Sequence, residues 1–385
     1  MKIGIITVQR APNYGAQLQC YALYSYLRQQ GHDVEIIDLL RPFHSAYIKS
    51  KKYKPIQTQS IKQIVYKWLR LKIKRLISSD FRDNLEKERL FLQMHQSEFL
   101  SFKEKFALFE SKMKYSRTYK SIDNLYDNPP SYDVYITGSD QLWNPSQPYC
   151  VEPYFLTFVK NGGIKMSYAT SIGLSQLPRT TIQQYVGWLR SYKKISIREQ
   201  TAVKILSNEG LDNIERNIDP TFLVSSQEWK KMAIPPIIDN YLFYFTLSQR
   251  VDLLQAALGI AKRNNLKLVY RKKTYKMEID DSDAIGLIDI SPEEWLGLIL
   301  HASYVVTDSF HGTAFSIIFR KDFSSLIPNE SRRGCRISDM LDLFGLNKRL
   351  ISEEMPMKTF SKIDYTSVDA ILQREIEKTQ KYLLL

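Results

Sequence analysis

Strand, helix and strand follow one another within the first forty residues, and that order fixes the class of fold open to this chain. KIGIIT (Lys2 to Thr7) and DVEIIDL (Asp33 to Leu39) are short apolar runs rich in β-branched residues. Between them, AQLQCYALYSYLRQQG (Ala16 to Gly31) carries Leu18, Tyr21, Ala22 and Leu27 on one amphipathic face and stops on a glycine. Such a unit is a βαβ crossover, which lays two parallel strands side by side beneath one helix. DVYITG (Asp133 to Gly138), KMSYAT (Lys165 to Thr170) and KISIRE (Lys194 to Glu199) extend the strand series. Beyond SSQEWKKMAIPPIIDN (Ser225 to Asn240), whose Pro235 and Pro236 mark a domain crossing, the pattern restarts. YLFYFTL, LKLVYR, AIGLID, YVVTDS and DFSSLI are its strands, with helices expected over 252–264, on PEEWLGLILHA and from Gly312 onward. The expected class is α/β, with a first domain over 1–228, a second over 238–352 and a last helix over 364–385.

Residues 45 to about 120 break this rhythm, being helical in pattern and poor in glycine, and read as a helical insertion in the first domain. From Lys49 to Arg75 the insertion carries Lys49, Lys51, Lys52, Lys54, Lys62, Lys67, Arg70, Lys72, Lys74 and Arg75 with no acid, around Ile64, Val65, Trp68 and Leu69. This is the pattern of a basic amphipathic helix, either a solvated face packed on the body or a contact with anionic lipid or a lipid-linked diphosphate. Over the whole chain, 54 Lys and Arg against 41 Asp and Glu leave a net charge of +13, which favours an anionic partner. Nucleic acid is the weakest such partner, since no RNP motif, zinc finger or helix-turn-helix accompanies the charge.

The 385 residues, 44% hydrophobic and 25% charged, suit a folded protein of two domains. No apolar run approaches the ~20 residues that cross a bilayer, and the opening MKIGIITVQRAPNYG lacks a small-residue cleavage site, so a cytoplasmic protein is expected. Cys20, Cys150 and Cys335 are too far apart for a metal site and odd in number, which points to free thiols.

Four loops fall where an open α/β sheet places its ligands, past the carboxyl ends of strands. In NYGAQ, Asn13, Tyr14 and Gly15 open a helix whose N–H groups can meet an anion, or the glycine simply serves the turn. TGSDQLWNP offers Asp140, Gln141 and Asn144 to sugar hydroxyls and Trp143 to a sugar face; the plainer alternative is an Asx-type turn with Trp143 in the core. In SIREQT, Arg198 leaves a strand end and can fork onto a carboxylate or phosphate, or pair with an acid such as Glu199. VVTDSFHGTAFS sets Asp308, Ser309 and His311 between a strand and a helix, where an imidazole can move protons and the helix start suits an anion. SRRGCR adds Arg332, Arg333 and Arg336, otherwise a solvated basic turn. No P-loop, no GxGxxG and no paired Cys/His ligands occur.

Taken together, NYGAQLQCYAL, DVYITGSDQLWNP, KMSYATSIG, SIREQTAVKIL, DPTFLVSSQEW (Asp219 to Trp229) and VTDSFHGTAFSIIF, in order up to about Leu350, resemble the polysaccharide pyruvyl transferase family. The resemblance implies two Rossmann-like domains facing a cleft, similar to GT-B glycosyltransferases, with the last helix returning to the first domain. It also implies transfer of pyruvate from phosphoenolpyruvate to two hydroxyls of a sugar, giving a cyclic ketal on a surface polysaccharide, exopolysaccharide or capsule, free or lipid-linked, with peripheral contact at the inner membrane face. No metal and no cofactor beyond the donor is required.

On that resemblance His311 is the acid, and Asp140 or Asp308 orients or deprotonates acceptor hydroxyls. Arg198, Ser309, Gly312, Thr313, Arg332, Arg333 and Arg336 take the donor side, and Asn13, Tyr14, Gly15, Gln141, Trp143 and Asn144 the acceptor side. Other branches of the family carry Arg-Leu directly before the motif histidine, whereas this chain has Ser309 and Phe310. Either Arg332, Arg333 or Arg336 supplies that cation or the donor differs. A sugar-nucleotide-dependent glycosyltransferase and a non-catalytic protein binding anionic lipid are the competing readings.

Overall fold

Each apolar run of the sequence forms a parallel strand, because helices cover both faces and leave the strands no solvated side. The computed structural model describes residues 1–42, 44–53, 56, 78–160, 162–248, 251–327, 335–351 and 362–384. The first half holds β1 (Lys2–Ile6), β2 (Asp33–Ile36), β3 (Val134–Thr137) and β4 (Ile164–Ser167) in the spatial order β2-β1-β3-β4. Parallel bridges Met166 to Lys194 and Thr170 to Ile197 attach β5 (Ile195–Ile197), which pairs with β6 (Ile214–Arg216).

The second half holds β7 (Tyr241–Phe245), β8 (Lys267–Arg271), β9 (Ala284–Leu287), β10 (Tyr304–Thr307), β11 (Phe323–Leu326) and β12 (Leu350–Ile351), all parallel, in the order β12-β11-β10-β7-β8-β9. Strand order reverses direction between β1 and β3 in one sheet and between β7 and β10 in the other. Those switch points are where such sheets open a crevice for ligands.

The helices begin where the sequence supplies caps. Asn13 accepts from the Ala16 N–H ahead of the helix Tyr14–Gln29, and Ser225 with Glu228 and Ser291 with Glu294 form capping boxes. One hydrophobic cluster then ties the halves together. Tyr14 and Leu18 of the first helix and Phe102, Phe106 and Phe109 of the insertion pack with Phe243, Phe245, Trp295 and Phe315 of the second half.

Within the described part of the insertion, helices Ser79–Met94 and Gln96–Glu110 reach across to the second half, with Lys105 paired to Asp289 and Glu294 at 3.1 and 3.0 Å. Lys49, Lys51, Lys52 and Tyr53 lie in irregular chain rather than a helix, and beyond Tyr53 the expected basic helix, save Ile56, lies outside the described residues. The last helix, Thr366–Tyr382, places Glu375 2.8 Å from Arg216 and hydrogen-bonds the Tyr382 hydroxyl to the Ser167 carbonyl. Among the described residues no helix is long and apolar enough to cross a membrane.

Candidate functional site

Around Asp219 the loops that follow β3, β5, β6 and β10 converge. Asp219 opens the DPTF turn just past β6, and its Oδ1 accepts from the Thr221 N–H and hydroxyl at 3.0 and 2.8 Å, which fixes the carboxylate plane. Its Oδ2 accepts from the Ser139 hydroxyl at 2.8 Å and from Arg198 Nη1 at 2.7 Å, and stands 3.5 Å from His311 Nε2. All are buried, with His311 and Arg198 6% exposed and Asp219 1%. Burial alone would push the Asp219 carboxyl up, but His311 and Arg198 overrule it and hold the group well below the usual carboxylate range.

Arg198 lies flat on the Phe310 ring, 3.9 Å from its centroid, with Glu199 4.0 Å from its Nε. Burial pushes the Glu199 carboxyl up, against Arg198 and the hydrogen-bonding Ser171 hydroxyl. The Arg198 fork is incompletely filled. Among the described residues its Nε and Nη2, and His311 Nε2, are buried with no hydrogen-bond partner, the carboxylates of Glu199 and Asp219 standing 4.0 and 3.5 Å from Arg198 Nε and His311 Nε2. Fixed donors lacking acceptors at a switch point are the chemistry of an anion and proton-transfer site.

The second sheet contributes cations that the sequence reading missed. Lys273 follows β8 and donates to the Thr246 carbonyl at 3.0 Å. Burial and neighbouring Arg271, against the pull of Asp308, lower its ammonium to about 7. Arg271 lies 5.3 Å from the Tyr14 ring centroid and 4.3 Å from that of Phe102, its Nε without a partner. Neither was visible beforehand, because a Lys-Lys pair after a strand looks like any solvated turn. Asp219 did carry a signal, as the first residue of the DPTFLVSSQEW block, but nothing local in the chain assigns it a role.

Several sequence candidates have other duties in the structure. Trp143 is 0% exposed, stacked on Phe155 and donating to the Tyr154 carbonyl, so it belongs to the core and offers no face to a sugar. Tyr14 is likewise buried, stacked on Trp295 with its hydroxyl on the Ile290 carbonyl. Asn13 caps its own helix, and Gly15 is there for His311: a Cβ at that position would lie 2.0 Å from the imidazole Nδ1. The helix Phe310–Ile318 starts two residues before Gly312 and is capped by Ser309, whose hydroxyl accepts the Gly312 N–H. Gly312 itself makes room for Thr307, and Thr313 bonds Ser325 and the Ser309 carbonyl. Asp308 accepts from the backbone N–H groups of Leu247 and Ser248 at 2.5 and 2.9 Å, which positions a loop.

Asp140 turns the chain with φ of 78° and accepts from the Gln141 N–H. Gln141, with its amide oxygen turned toward the second half, accepts from Arg336 at 3.3 and 3.2 Å, and Asn144 Nδ2 sits 2.7 Å from the same amide. Arg336 thereby joins the acceptor-side loop to the helix Cys335–Leu343. Arg332 and Arg333 lie outside the described residues. Cys20 and Cys150 are buried free thiols, the latter pushed up to about 12 by burial.

The family model for polysaccharide pyruvyl transferase matches residues 13–328. No curated protein matches the chain. Among solved structures, UDP-GlcNAc 2-epimerase from Methanocaldococcus jannaschii, in complex with UDP-GlcNAc and UDP, is similar at 11% identity and a TM-score of 0.51, over 97% of this chain and 99% of that one. UDP-N-acetylglucosamine 2-epimerase from Rickettsia bellii is similar at 8% identity and a TM-score of 0.50, over 99% and 96%. At such identities the likeness establishes the fold alone: two Rossmann-like domains facing a cleft, in the GT-B manner.

Proposed function

The chain belongs to the polysaccharide pyruvyl transferase family, and from that membership we propose that it transfers pyruvate from phosphoenolpyruvate to two hydroxyls of one sugar, closing a cyclic ketal. The observation carrying this reading is the buried meeting of Arg198, His311 and Asp219, with three nitrogen positions left without acceptors. Phosphoenolpyruvate presents a carboxylate and a phosphate, and guanidinium forks suit both. Arg198 holds one anionic group on the first-half side, while Lys273 and Arg271 stand at the carboxyl edge of the second sheet for the other. Residues 1–228 are assigned to the acceptor and 238–352 to the donor.

The reaction balances without any further reagent. His311 delivers a proton to the methylene carbon of the donor, and one sugar hydroxyl adds at the neighbouring carbon. The C–O bond to phosphate breaks, and the second hydroxyl adds in its place. Of the two hydroxyl protons, one replaces that given by His311 and the other leaves with phosphate. Asp219 holds the His311 ring in place throughout. Asp140, whose carboxylate has one N–H partner among the described residues, is the acceptor-side base on this scheme.

A sugar-nucleotide donor is the competing reading, favoured by one observation: Ser309, a helix cap, stands where relatives place an arginine. Inorganic phosphate released from phosphoenolpyruvate across a panel of glycosides, rather than nucleotide from a sugar nucleotide, separates the two. In the same assay His311→Gln is expected to lower phosphate release at least ~100-fold while the protein stays folded. Unchanged turnover would remove His311 from the chemistry.

A further inference from the structure

Away from the His311 cluster, a cavity of about 280 Å³ opens at the carboxyl edge of the first sheet, between the chain leaving β2 and the far end of the loop after β3. Arg41, Tyr47, Lys49, Tyr53, Tyr149 and Tyr154 are among its walls. Arg41 is the unusual member. It is 4% exposed, and among the described residues its Nε and Nη2 have no hydrogen-bond partner and it forms no ion pair. Its guanidinium lies 4.5 Å from the Tyr149 ring centroid and 5.6 Å from that of Tyr154, so the aromatic faces carry the cation while its donors stay unfilled. A buried charge is costly to hold uncompensated, and a fork with two idle donors beside an opening is poised for a carboxylate or phosphate.

We propose that this cavity is a subsite for an acid-bearing sugar of the acceptor, whose carboxylate or phosphate binds Arg41 and whose ring lies among the tyrosines. The volume is just under the roughly 300 Å³ at which sites for drug-sized ligands begin, room for one sugar ring whose apolar face would meet the tyrosines, Leu40 and Val151. The same loop serves both places, since Ser139 at its start hydrogen-bonds Asp219 and Tyr149 near its end walls the cavity. A glycan anchored here is thereby directed toward Asp140 and the His311 cluster. The inference rests on the reading that the acceptor is a glycan.

Isothermal titration with glucuronate, glucose 1-phosphate and uncharged glucose tests it. At least one acid should bind 10-fold or more tightly than glucose, and the tighter acid identifies carboxylate or phosphate. Arg41→Lys, which keeps the charge but not the fork, and Arg41→Met should each reduce that preference at least 10-fold. Arg41→Met should also melt no lower than wild type, because it removes an uncompensated buried charge. Acids binding no better than glucose, a preference that survives both substitutions, or a lower melting temperature in Arg41→Met would each overturn the proposal. Phosphoenolpyruvate titrated into the same samples keeps the two readings apart: acids that bind while phosphoenolpyruvate does not would sink the donor assignment alone.

Discussion

Asp219, past the end of β6 in the first sheet, and Asp308, past the end of β10 in the second, are both fully engaged, but by different kinds of partner. Asp219 takes two hydroxyls, one N–H and the Arg198 guanidinium, and faces the His311 imidazole at 3.5 Å. Asp308 takes two backbone N–H groups, so its charge goes to shaping the 246–248 loop. In consequence the first edge is largely neutralised from within. At the second edge Lys273 and Arg271 form no ion pair among the described residues, and positive charge is left over. One edge is preorganised around its own carboxylate, and the other is short of an anion that a ligand can supply.

The hardest blow to that contrast is Asp219→Asn. The amide keeps the shape but removes the carboxylate that takes Arg198 at 2.7 Å and faces His311 at 3.5 Å, leaving Arg198 the longer contact with Glu199 at 4.0 Å, and breaking one partner of a buried pair costs about 3–5 kcal/mol. Urea unfolding is expected to show a loss of that size, with turnover gone. A loss below about 1 kcal/mol would mean that packing, including the Phe310 ring under Arg198, rather than charge, holds the first edge.

Gly15→Ala comes next and separates positioning from stability. Alanine gains about 1 kcal/mol of helix propensity, yet its Cβ would have to displace the buried His311 ring from 2.0 Å. Overpacking of that kind costs about 1–3 kcal/mol, so stability is expected to fall by no more than about 2 kcal/mol. Misplacing a catalytic group by about 1 Å can cost ~100-fold, so turnover is expected to fall by that order while the protein stays folded. Equal turnover in the variant would show that the ring needs no fixed seat against the first helix.

What could be read in advance follows from how local each signal is. The strands were legible because both faces of a parallel sheet are covered, so each is an apolar run with no alternation to interpret. Caps at Asn13, Ser225 and Ser291 and the amphipathic face of the first helix are likewise short-range. His311 and Arg198 stood out because each follows a strand end. Asp219 did not, since its role arises only where residues 139, 198 and 311 meet it in space. Trp143 looked like a sugar platform for the converse reason: Phe155 and Tyr185, which bury its surroundings, come later in the chain and from other elements. Lys273 and Arg41 are single cations among 54 Lys and Arg, and only burial distinguishes them.

Around neutral pH Lys273 gives the smallest effect on stability, and the one that bears most directly on the second edge. Its folded ammonium titrates at about 7, below the 10.5 of the free side chain. Between those values the unfolded chain binds a proton that the folded protein does not, so stability is expected to rise with pH from about 7 to 10. Below 7 both states are protonated and the cost of the buried charge is fully present. The contribution of one group is at most about 1.4 kcal/mol per pH unit, and it is isolated as the difference in slope between wild type and Lys273→Met. An anion bound beside Lys273 would restore its charge, so phosphoenolpyruvate titrated at pH 8 should take up protons, read as a binding enthalpy that changes with the ionisation enthalpy of the buffer. If phosphoenolpyruvate binds with no proton uptake, or wild type and Lys273→Met share one slope, the surplus charge of the second edge does not meet the donor, and the contrast with Asp219 loses its functional meaning.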